Sequence, residues 1–179
     1  MTKEKNHKIV MIIASKQFRD EELFIPKNYF EHHNLDVTVA SSSLAPSTGM
    51  LKRTISPDIL VKNIQEKDVD IIVLVGGTGA TEYWDDAILH QKLHYMHNSK
   101  KIIAAICIAP VSLAKAGLLK DIHATVYPSE SSQLTQHGAI LTNKDVVVDK
   151  NIITANGPEA AEEFAKTIID HLSLEENNA

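Results

Sequence analysis

The sequence predicts an α/β fold in which helices cover both faces of an open, mostly parallel sheet. Short apolar segments rich in β-branched residues recur along the chain, and runs of this length suit strands that are buried on both faces. These predicted strands are residues 8–13, 36–40, 70–75, 101–106 and 145–148. Helical stretches alternate with them, at residues 20–33, 82–97, 110–115 and 158–172. Such alternation is typical of a parallel sheet that is covered on both sides.

Two segments depart from this alternation and predict additions to the core sheet. Residues 50–56 form a short extended segment. Residues 57–64 begin with Pro-Asp, which predicts the start of a helix that continues to the end of the segment. Residues 146–154 predict a hairpin that turns at residues 149–151.

The chain is predicted to be one domain, residues 1–179, with a core of about residues 8–172. A chain of 179 residues buries enough apolar surface to fold without disulfides or a structural metal. The sequence contains no repeat, low-complexity tract or linker. The first six or so residues and the tail from Leu174 are polar, so both ends are expected to be frayed.

Charge and composition narrow the classes of partner and compartment. The net charge is −5, the pI is near 6.0 and the lysines are scattered, so we predict no nucleic-acid partner and no membrane partner. No apolar stretch long enough for a signal peptide or membrane span follows the first seven residues, which favours a cytoplasmic location. A single cysteine excludes an internal disulfide and suits a reducing compartment. No motif calls for a cofactor, and none is predicted.

The strongest chemical signal is the segment Lys-Ile-Ile-Ala-Ala-Ile-Cys-Ile-Ala-Pro at residues 101–110. Small residues two before and two after Cys107 permit the tight, strained turn of a nucleophile elbow. The elbow and the alternation together predict a flavodoxin-like, doubly wound sheet, with Cys107 at a strand-to-helix turn and in a sparsely populated backbone region. The nearby helix N-terminus is expected to lower the pKa of the thiol. The alternative is that Cys107 is an ordinary buried apolar side chain.

A glycine turn follows the predicted strand at residues 70–75. The backbone N–H groups of Gly76 and Gly77 are candidates to face an oxyanion beside the elbow, although a glycine turn is also a common connector. Nucleotide binding is not favoured. A dinucleotide fingerprint needs a small residue where Glu82 stands, and a P-loop needs a Gly-Lys pair.

Acidic and histidine clusters give two weaker signals. The acidic run at residues 20–22 either complements a helix dipole or includes a catalytic carboxyl. His90, His94 and His97 share one helical face and could bind a divalent metal. Such a set is more often a solvated face, and no acidic or cysteine ligand is obviously placed to complete it. We therefore predict no metal site.

Four motifs in order resemble those of the ThiJ/PfpI family, which includes the parkinsonism-associated protein deglycase and the PfpI intracellular proteases. They are Glu-Glu-Leu-Phe-Ile-Pro at 21–26, Leu-Val-Gly-Gly at 74–77, Ala-Ala-Ile-Cys-Ile-Ala-Pro at 104–110 and Thr-Ala-Asn-Gly-Pro at 154–158. The resemblance implies a class I glutamine-amidotransferase-like fold and a homodimer. It also implies that protonated Glu22 lies close to the sulfur of Cys107, and that Gly77 and Ile108 line an oxyanion pocket.

Two departures from the family pattern concern the catalytic base. PfpI-type hydrolases carry a histidine where this chain has Ile108, and the deglycase branch carries one where it has Tyr127. Tyr127 can donate a hydrogen bond in the pocket but is a poor base near neutral pH. His123 and Glu130 are possible substitutes. We therefore expect peptidase activity to be weak or absent.

Three functional hypotheses remain open at this point. The first is an enzyme of glyoxalase, deglycase or amidase type, in which Cys107 attacks a small carbonyl compound with the help of Glu22. The second is a redox-responsive stress protein whose partner is an oxidant, and in which Cys107 becomes a sulfinate. The third is a binding module that keeps the pocket without turnover.

Overall fold

The computed structural model describes residues 6–179. The strands are β1 (Lys8–Ile12), β2 (Lys16–Phe18), β3 (Asp36–Ser41), β4 (Ser47–Gly49), β5 (Thr54–Ile55), β6 (Ile59–Leu60), β7 (Ile71–Leu74), β8 (Ile102–Ile106), β9 (His123–Ala124), β10 (Ile140–Leu141), β11 (Val146–Asp149) and β12 (Ile152–Ala155). The α-helices are α1 (Asp20–His32), α2 (Ala87–Asn98), α3 (Pro110–Lys115), α4 (Ser131–Gln136) and α5 (Ala161–Asn177). Short 3₁₀ turns connect several of them.

The main sheet of the described residues has seven strands in the order β11-β12-β8-β7-β1-β3-β6. All neighbours are parallel except β11, which runs antiparallel to β12. The five parallel strands β3-β1-β7-β8-β12 therefore follow the flavodoxin-like order, in which the second strand of the chain lies outside the first. The predicted fold class is confirmed. In such a sheet, binding sites form at the carboxyl ends of the central strands.

The apolar strands divide the core into two layers. Alternate side chains of β1 point to opposite faces, so Ile9 and Met11 belong to one layer and Val10 and Ile12 to the other. Helices α1 and α5 contact each other on the first face. Helices α2 and α3 contact β8, and α4 packs against α3. None of the helices described is long and apolar enough to cross a bilayer.

The second helix begins later than predicted. The expected start was residue 82, but residues Thr78–Tyr83 form a 3₁₀ segment and α2 begins at Ala87. The reason is a side-chain cap. Asp86 accepts hydrogen bonds from the N–H groups of Ile88 and Leu89 at 2.9 and 3.1 Å, which fixes the start of the helix there.

The helix predicted over residues 57–64 is wrong. Ile59–Leu60 is a strand that extends the sheet beyond β3, and only Val61–Asn63 form a single 3₁₀ turn. Asp58 explains the difference, because its backbone N–H donates to Val39 O and its carboxylate accepts from Val39 N, each at 2.8 Å. These bonds hold the segment in an extended form along β3.

Of the extended segment predicted at 50–56, only Thr54–Ile55 is a strand, and it pairs with β4 in a small sheet of β2, β4 and β5.

The predicted hairpin is confirmed, but the expectation of a frayed tail is not. Strands β11 and β12 pair antiparallel, and Lys150 in the turn has φ of +54°. Helix α5 continues through Leu174 to Asn177. Its last turns make side-chain contacts, including His7 Nε2 to Glu176 Oε1 at 2.6 Å. Most of the expected N-terminal fraying concerns residues 1–5, which lie outside the described residues.

Candidate active site

Cys107 occupies the turn between β8 and α3, as predicted. Its φ of +64° is a left-handed conformation that is costly for a residue with a Cβ, which confirms the predicted elbow geometry. Two backbone hydrogen bonds hold it there. The N–H of Cys107 donates to Ala155 O at 2.9 Å, and its carbonyl accepts from Tyr127 N at 2.8 Å. Pro110 starts α3 two residues after Ile108, at the position where its missing N–H costs nothing.

Glu22 lies beneath the elbow in the first turn of α1 and is fully buried. Its Oε2 accepts a hydrogen bond from Gly76 N at 2.8 Å. A Cβ added to Gly76 would lie 2.5 Å from both the Cβ of Cys107 and the Oε2 of Glu22. Gly76 is therefore a glycine because the two functional side chains converge on it. Its N–H is bonded to Glu22, so it supports the pair rather than facing the cleft.

Two backbone N–H groups lie near the sulfur of Cys107. They belong to Gly77 and Ile108, and both favour the thiolate form. Gly77 has φ of +100°, and an added Cβ there would overlap the backbone of Gln17, Phe18 and Arg19. A glycine is thus required for the chain to turn toward the sulfur at this point.

Burial dominates the titration of both side chains. It raises the pKa of Glu22 to about 7, against smaller opposing effects that include the Gly76 hydrogen bond. Burial, followed by the negative charge of Glu22, raises the pKa of the Cys107 thiol to about 12. The lowered thiol pKa predicted from the sequence is therefore wrong in direction. A helix N-terminus was expected to dominate, but α3 is only six residues long and the exposed fraction of Cys107 is 8%.

A cleft of about 730 Å³ opens above Cys107 at the carboxyl ends of the central strands. Its lining comes from separate elements and consists of Arg19, Met50, Gly77, Thr78, Thr81, Trp84, Cys107, Ile108, Tyr127, Pro128, Ser129, Glu130, Asn156, Gly157, Pro158 and Glu159. Tyr127 is 45% exposed at the wall. Gly77, Cys107, Ile108, Tyr127 and Glu130 were predicted from the sequence, whereas Arg19 and Glu159 were not. Glu159 directly follows one family motif and Arg19 stands two residues before another, which is the signal that could have identified them.

Arg19 carries a positive charge at the wall of the cleft, but it is already paired. Its Nε donates to Glu21 Oε2 at 2.9 Å and a terminal nitrogen donates to Glu21 Oε1 at 3.0 Å. This two-point ion pair fixes the guanidinium plane and neutralises most of its field. The pair lowers the pKa of Glu21, so this carboxyl stays ionised beside the buried Glu22.

The two substitute bases suggested by the sequence differ in position. His123 does not line the cleft, because its Nδ1 and its backbone N–H both contact Asp149 Oδ2, at 3.0 and 2.7 Å. Glu130 does line the cleft and accepts a hydrogen bond from Ser129 Oγ at 3.2 Å. Of the two suggested substitutes, the carboxyl of Glu130 lies at the cleft wall and the imidazole of His123 does not.

The histidines of α2 are spread among different contacts. The ring Nε2 of His90 lies 3.0 Å from the carbonyl oxygen of Trp84. His94 is exposed and His97 is half-buried. Across residues 6–179, no group of three His, Cys, Asp or Glu side chains is placed to hold a metal ion.

The order of the sheet, the strained Cys107 and the buried Glu22 agree with a comparison of the whole sequence against known families. The DJ-1/PfpI family profile matches residues 7–171. The chain belongs to the DJ-1/PfpI family. Its DJ-1/PfpI domain therefore covers every residue described above for the site.

Individual relatives support this placement in the DJ-1/PfpI family. An uncharacterized protein of Methanocaldococcus jannaschii is 41% identical over 97% of this chain and 85% of its own length. A glutathione-independent glyoxalase of Caenorhabditis elegans is 26% identical over 91% of this chain and 87% of its own. The crystal structure of a ThiJ/PfpI domain protein from Brachyspira murdochii superimposes with a TM-score of 0.91 at 29% identity, covering 95% of this chain and 98% of that one.

The convergence on Gly76 gives a first testable prediction. Gly76→Ala is expected to destabilise the fold by about 1–3 kcal/mol, because the added methyl group must displace buried atoms. It should also slow alkylation of Cys107 by iodoacetamide, since it pushes Glu22 and the sulfur apart. Gly117→Ala is the control for the alkylation rate, because its Cβ would meet no atom within 4 Å; its φ of +79° strains an alanine, so it is not a control for stability. Urea unfolding and alkylation rates measure the two effects. Unchanged alkylation in Gly76→Ala would show that the reactivity of Cys107 does not depend on this contact.

Proposed function

We propose that this DJ-1/PfpI protein is a cysteine-dependent enzyme that acts on small electrophilic carbonyl compounds of the α-oxoaldehyde type, with Cys107 as nucleophile and Glu22 as proton carrier. The observation that carries the proposal is the arrangement around one sulfur atom. Cys107 sits on a strained elbow at the base of a cleft, two backbone N–H groups face its sulfur, and a buried carboxyl with a pKa of about 7 adjoins it.

The first chemical step would be a proton transfer within the pair. The Glu22 carboxylate takes the thiol proton of Cys107, and the resulting thiolate forms a bond to the aldehyde carbon. The carbonyl electron pair moves to oxygen, for which the N–H groups of Gly77 and Ile108 are available donors. Glu22 then returns the proton to this oxygen, which gives a hemithioacetal and leaves Glu22 ionised again.

The second step would move a proton between the two substrate carbons. A carboxylate removes the proton from the former aldehyde carbon, and the neighbouring carbon gains one, so the hemithioacetal becomes a thioester of a 2-hydroxy acid. Glu22 adjoins the sulfur, and Glu130 and Glu159 are the carboxyls that line the cleft. Water then hydrolyses the thioester and restores the thiol. For methylglyoxal the overall change is addition of one water to give lactate. The glyoxalase named among the relatives supports this reaction class.

Lactate formation from methylglyoxal tests the proposal directly. The wild-type protein is expected to form lactate, and Cys107→Ser is expected to fall to the uncatalysed background because a serine hydroxyl cannot form the thioester. Glu130→Gln separates the two carboxyls. A loss of roughly 10²-fold would assign it the carbon proton transfer. An unchanged rate in both Glu130→Gln and Glu159→Gln would assign that step to Glu22. Equal lactate formation by Cys107→Ser and the wild-type protein would contradict the proposal.

A specific observation also favours a redox role as a second candidate. The Oε1 of Glu22 is buried and has no hydrogen-bond partner among the described residues. A protonated carboxyl there could donate to an oxygen atom on the neighbouring sulfur. On this alternative, peroxide oxidises Cys107 through sulfenate to sulfinate and largely stops there. Mass spectrometry after mild peroxide treatment, in wild type and in Glu22→Ala, would support it if only the wild type accumulates the sulfinate.

A further inference from the structure

The charges that face the cleft are mostly negative. Glu130 and Glu159 line it from two different segments, one after Tyr127 and the other after β12. Glu130 is half-buried and Glu159 is exposed. The contact that Glu130 makes is with the neutral hydroxyl of Ser129 and leaves its charge uncompensated. Two carboxylates therefore line the same cleft as the sulfur of Cys107.

The positive charge of Arg19 does not offset these carboxylates. Its guanidinium is engaged by both oxygens of Glu21, so the two side chains form a neutral pair. Below them, Glu22 adds a further negative charge whenever it is ionised. The remaining N–H groups of Arg19 can still donate to a ligand, but they do so from a pair that carries no net charge.

We propose that Glu130 and Glu159 make the cleft selective by charge, so that Cys107 reacts with neutral or cationic electrophiles and is protected from anionic ones. This inference deepens the proposed function, on which its biological meaning rests, because it restricts the substrate class. Neutral oxoaldehydes such as methylglyoxal are accepted, and oxoaldehydes that carry a carboxylate, such as 4,5-dioxopentanoate, are rejected. The basis is that like charges in a concave site lower the local concentration of an anion and raise that of a cation.

Matched thiol reagents test the charge selectivity without any need for turnover. The 2-aminoethyl and 2-sulfonatoethyl methanethiosulfonates carry opposite charges and react by the same chemistry. The Cys107 thiolate attacks the sulfur that carries the substituted ethyl group and forms a disulfide with it, and methanesulfinate leaves. The ratio of the cationic to the anionic rate, divided by the same ratio for free N-acetylcysteine amide, isolates the field of the cleft. We expect a ratio of about ten or more at low salt, falling as ionic strength rises.

A pair of charge-matched variants identifies the source of the field. The double variant Glu130→Gln and Glu159→Gln is expected to bring the ratio close to that of the free thiol. The double variant Asp36→Asn and Asp68→Asn removes the same total charge but should keep the wild-type ratio. Both aspartates are exposed. Asp36 begins β3 and Asp68 precedes β7, so both lie at the amino ends of the parallel strands, opposite the cleft. A wild-type ratio near one, or a ratio that the glutamine variants leave unchanged, would overturn the proposal.

Substrate kinetics then separate this inference from the proposed function. The wild-type protein should turn over methylglyoxal, which is neutral, at least ~10-fold more efficiently than 4,5-dioxopentanoate, which has the same oxoaldehyde group and a carboxylate. The two glutamine substitutions should narrow that gap. If neither aldehyde is turned over but the reagent ratio holds, the charge selectivity stands and the proposed enzyme activity fails. If both are turned over equally and the reagent ratio is near one, the enzyme activity stands and the selectivity fails.

Discussion

Alkylation of Cys107 by iodoacetamide is expected to rise with pH through an inflection near 7, well below the value of about 8.5 for a free thiol. The reason is that Glu22 and Cys107 lose protons as a pair. Once the pair has lost its first proton, the Glu22 carboxylate can accept the thiol proton and so expose a thiolate to the reagent. Further loss of a proton from the pair requires a pH near 12, where burial and charge repulsion no longer prevent it.

Glu22→Gln is expected to remove that inflection and to lower the alkylation rate at pH 7.5 by roughly 10²-fold, the usual value of a positioned base. Glutamine keeps the shape of the side chain and can still accept from Gly76 N, but it cannot take a proton. Glu163→Gln, an exposed position on α5, should behave like the wild type. An inflection near 8.5 in the alkylation rate of all three proteins would show that Cys107 reacts as an ordinary thiol, independently of Glu22.

The buried Glu22 should also make the stability of the fold depend on pH. Its pKa is raised in the folded protein to about 7, from about 4.3 in an unfolded chain. The folded state therefore holds a proton that the unfolded state has already released, and this favours folding at low pH. As pH rises from about 4.5 to 7, the free energy of unfolding should fall by roughly 2–4 kcal/mol and then level off.

Urea unfolding between pH 5 and pH 8 measures this loss. Other carboxyls act in the opposite direction, because the pKa values of Glu21, Glu66 and Asp149 are lowered in the fold. The informative quantity is thus the difference in the free energy of unfolding between the wild type and Glu22→Gln. This difference should change in favour of the variant as pH rises. Glu162→Gln, at an exposed residue, is the control. A difference that stays constant with pH would mean that Glu22 does not titrate in this range.

The parts of the fold that follow from local patterns were predictable. Apolar runs located β1, β3, β7 and β8, because a strand that is buried on both faces needs apolar side chains on both. The elbow was predictable from small residues on both sides of Cys107, since they are a steric requirement of the turn. The segment at Asp58 was not, because the bonds that make it extended come from Val39, which is far away in the sequence.

The candidate site was predictable in its residues but not in its electrostatics. The motifs identified Cys107, Glu22 and Gly77, and the structure brings these residues together. The direction of the thiol pKa depended on burial, and burial is a property of the assembled core rather than of the sequence around Cys107. Likewise, the contact that removes His123 from the cleft is made by Asp149 on a different strand.

The two backbone hydrogen bonds of Cys107 have a mechanical consequence. Its N–H is tied to Ala155, which leads directly into the wall that contains Asn156 and Glu159. Its carbonyl is tied to Tyr127, which leads into the wall that contains Glu130. The backbone of Cys107 is therefore hydrogen-bonded to both sides of the cleft. An outward movement of either side pulls on Cys107 through its hydrogen bond. A change in the width of the cleft therefore also changes the position of the sulfur.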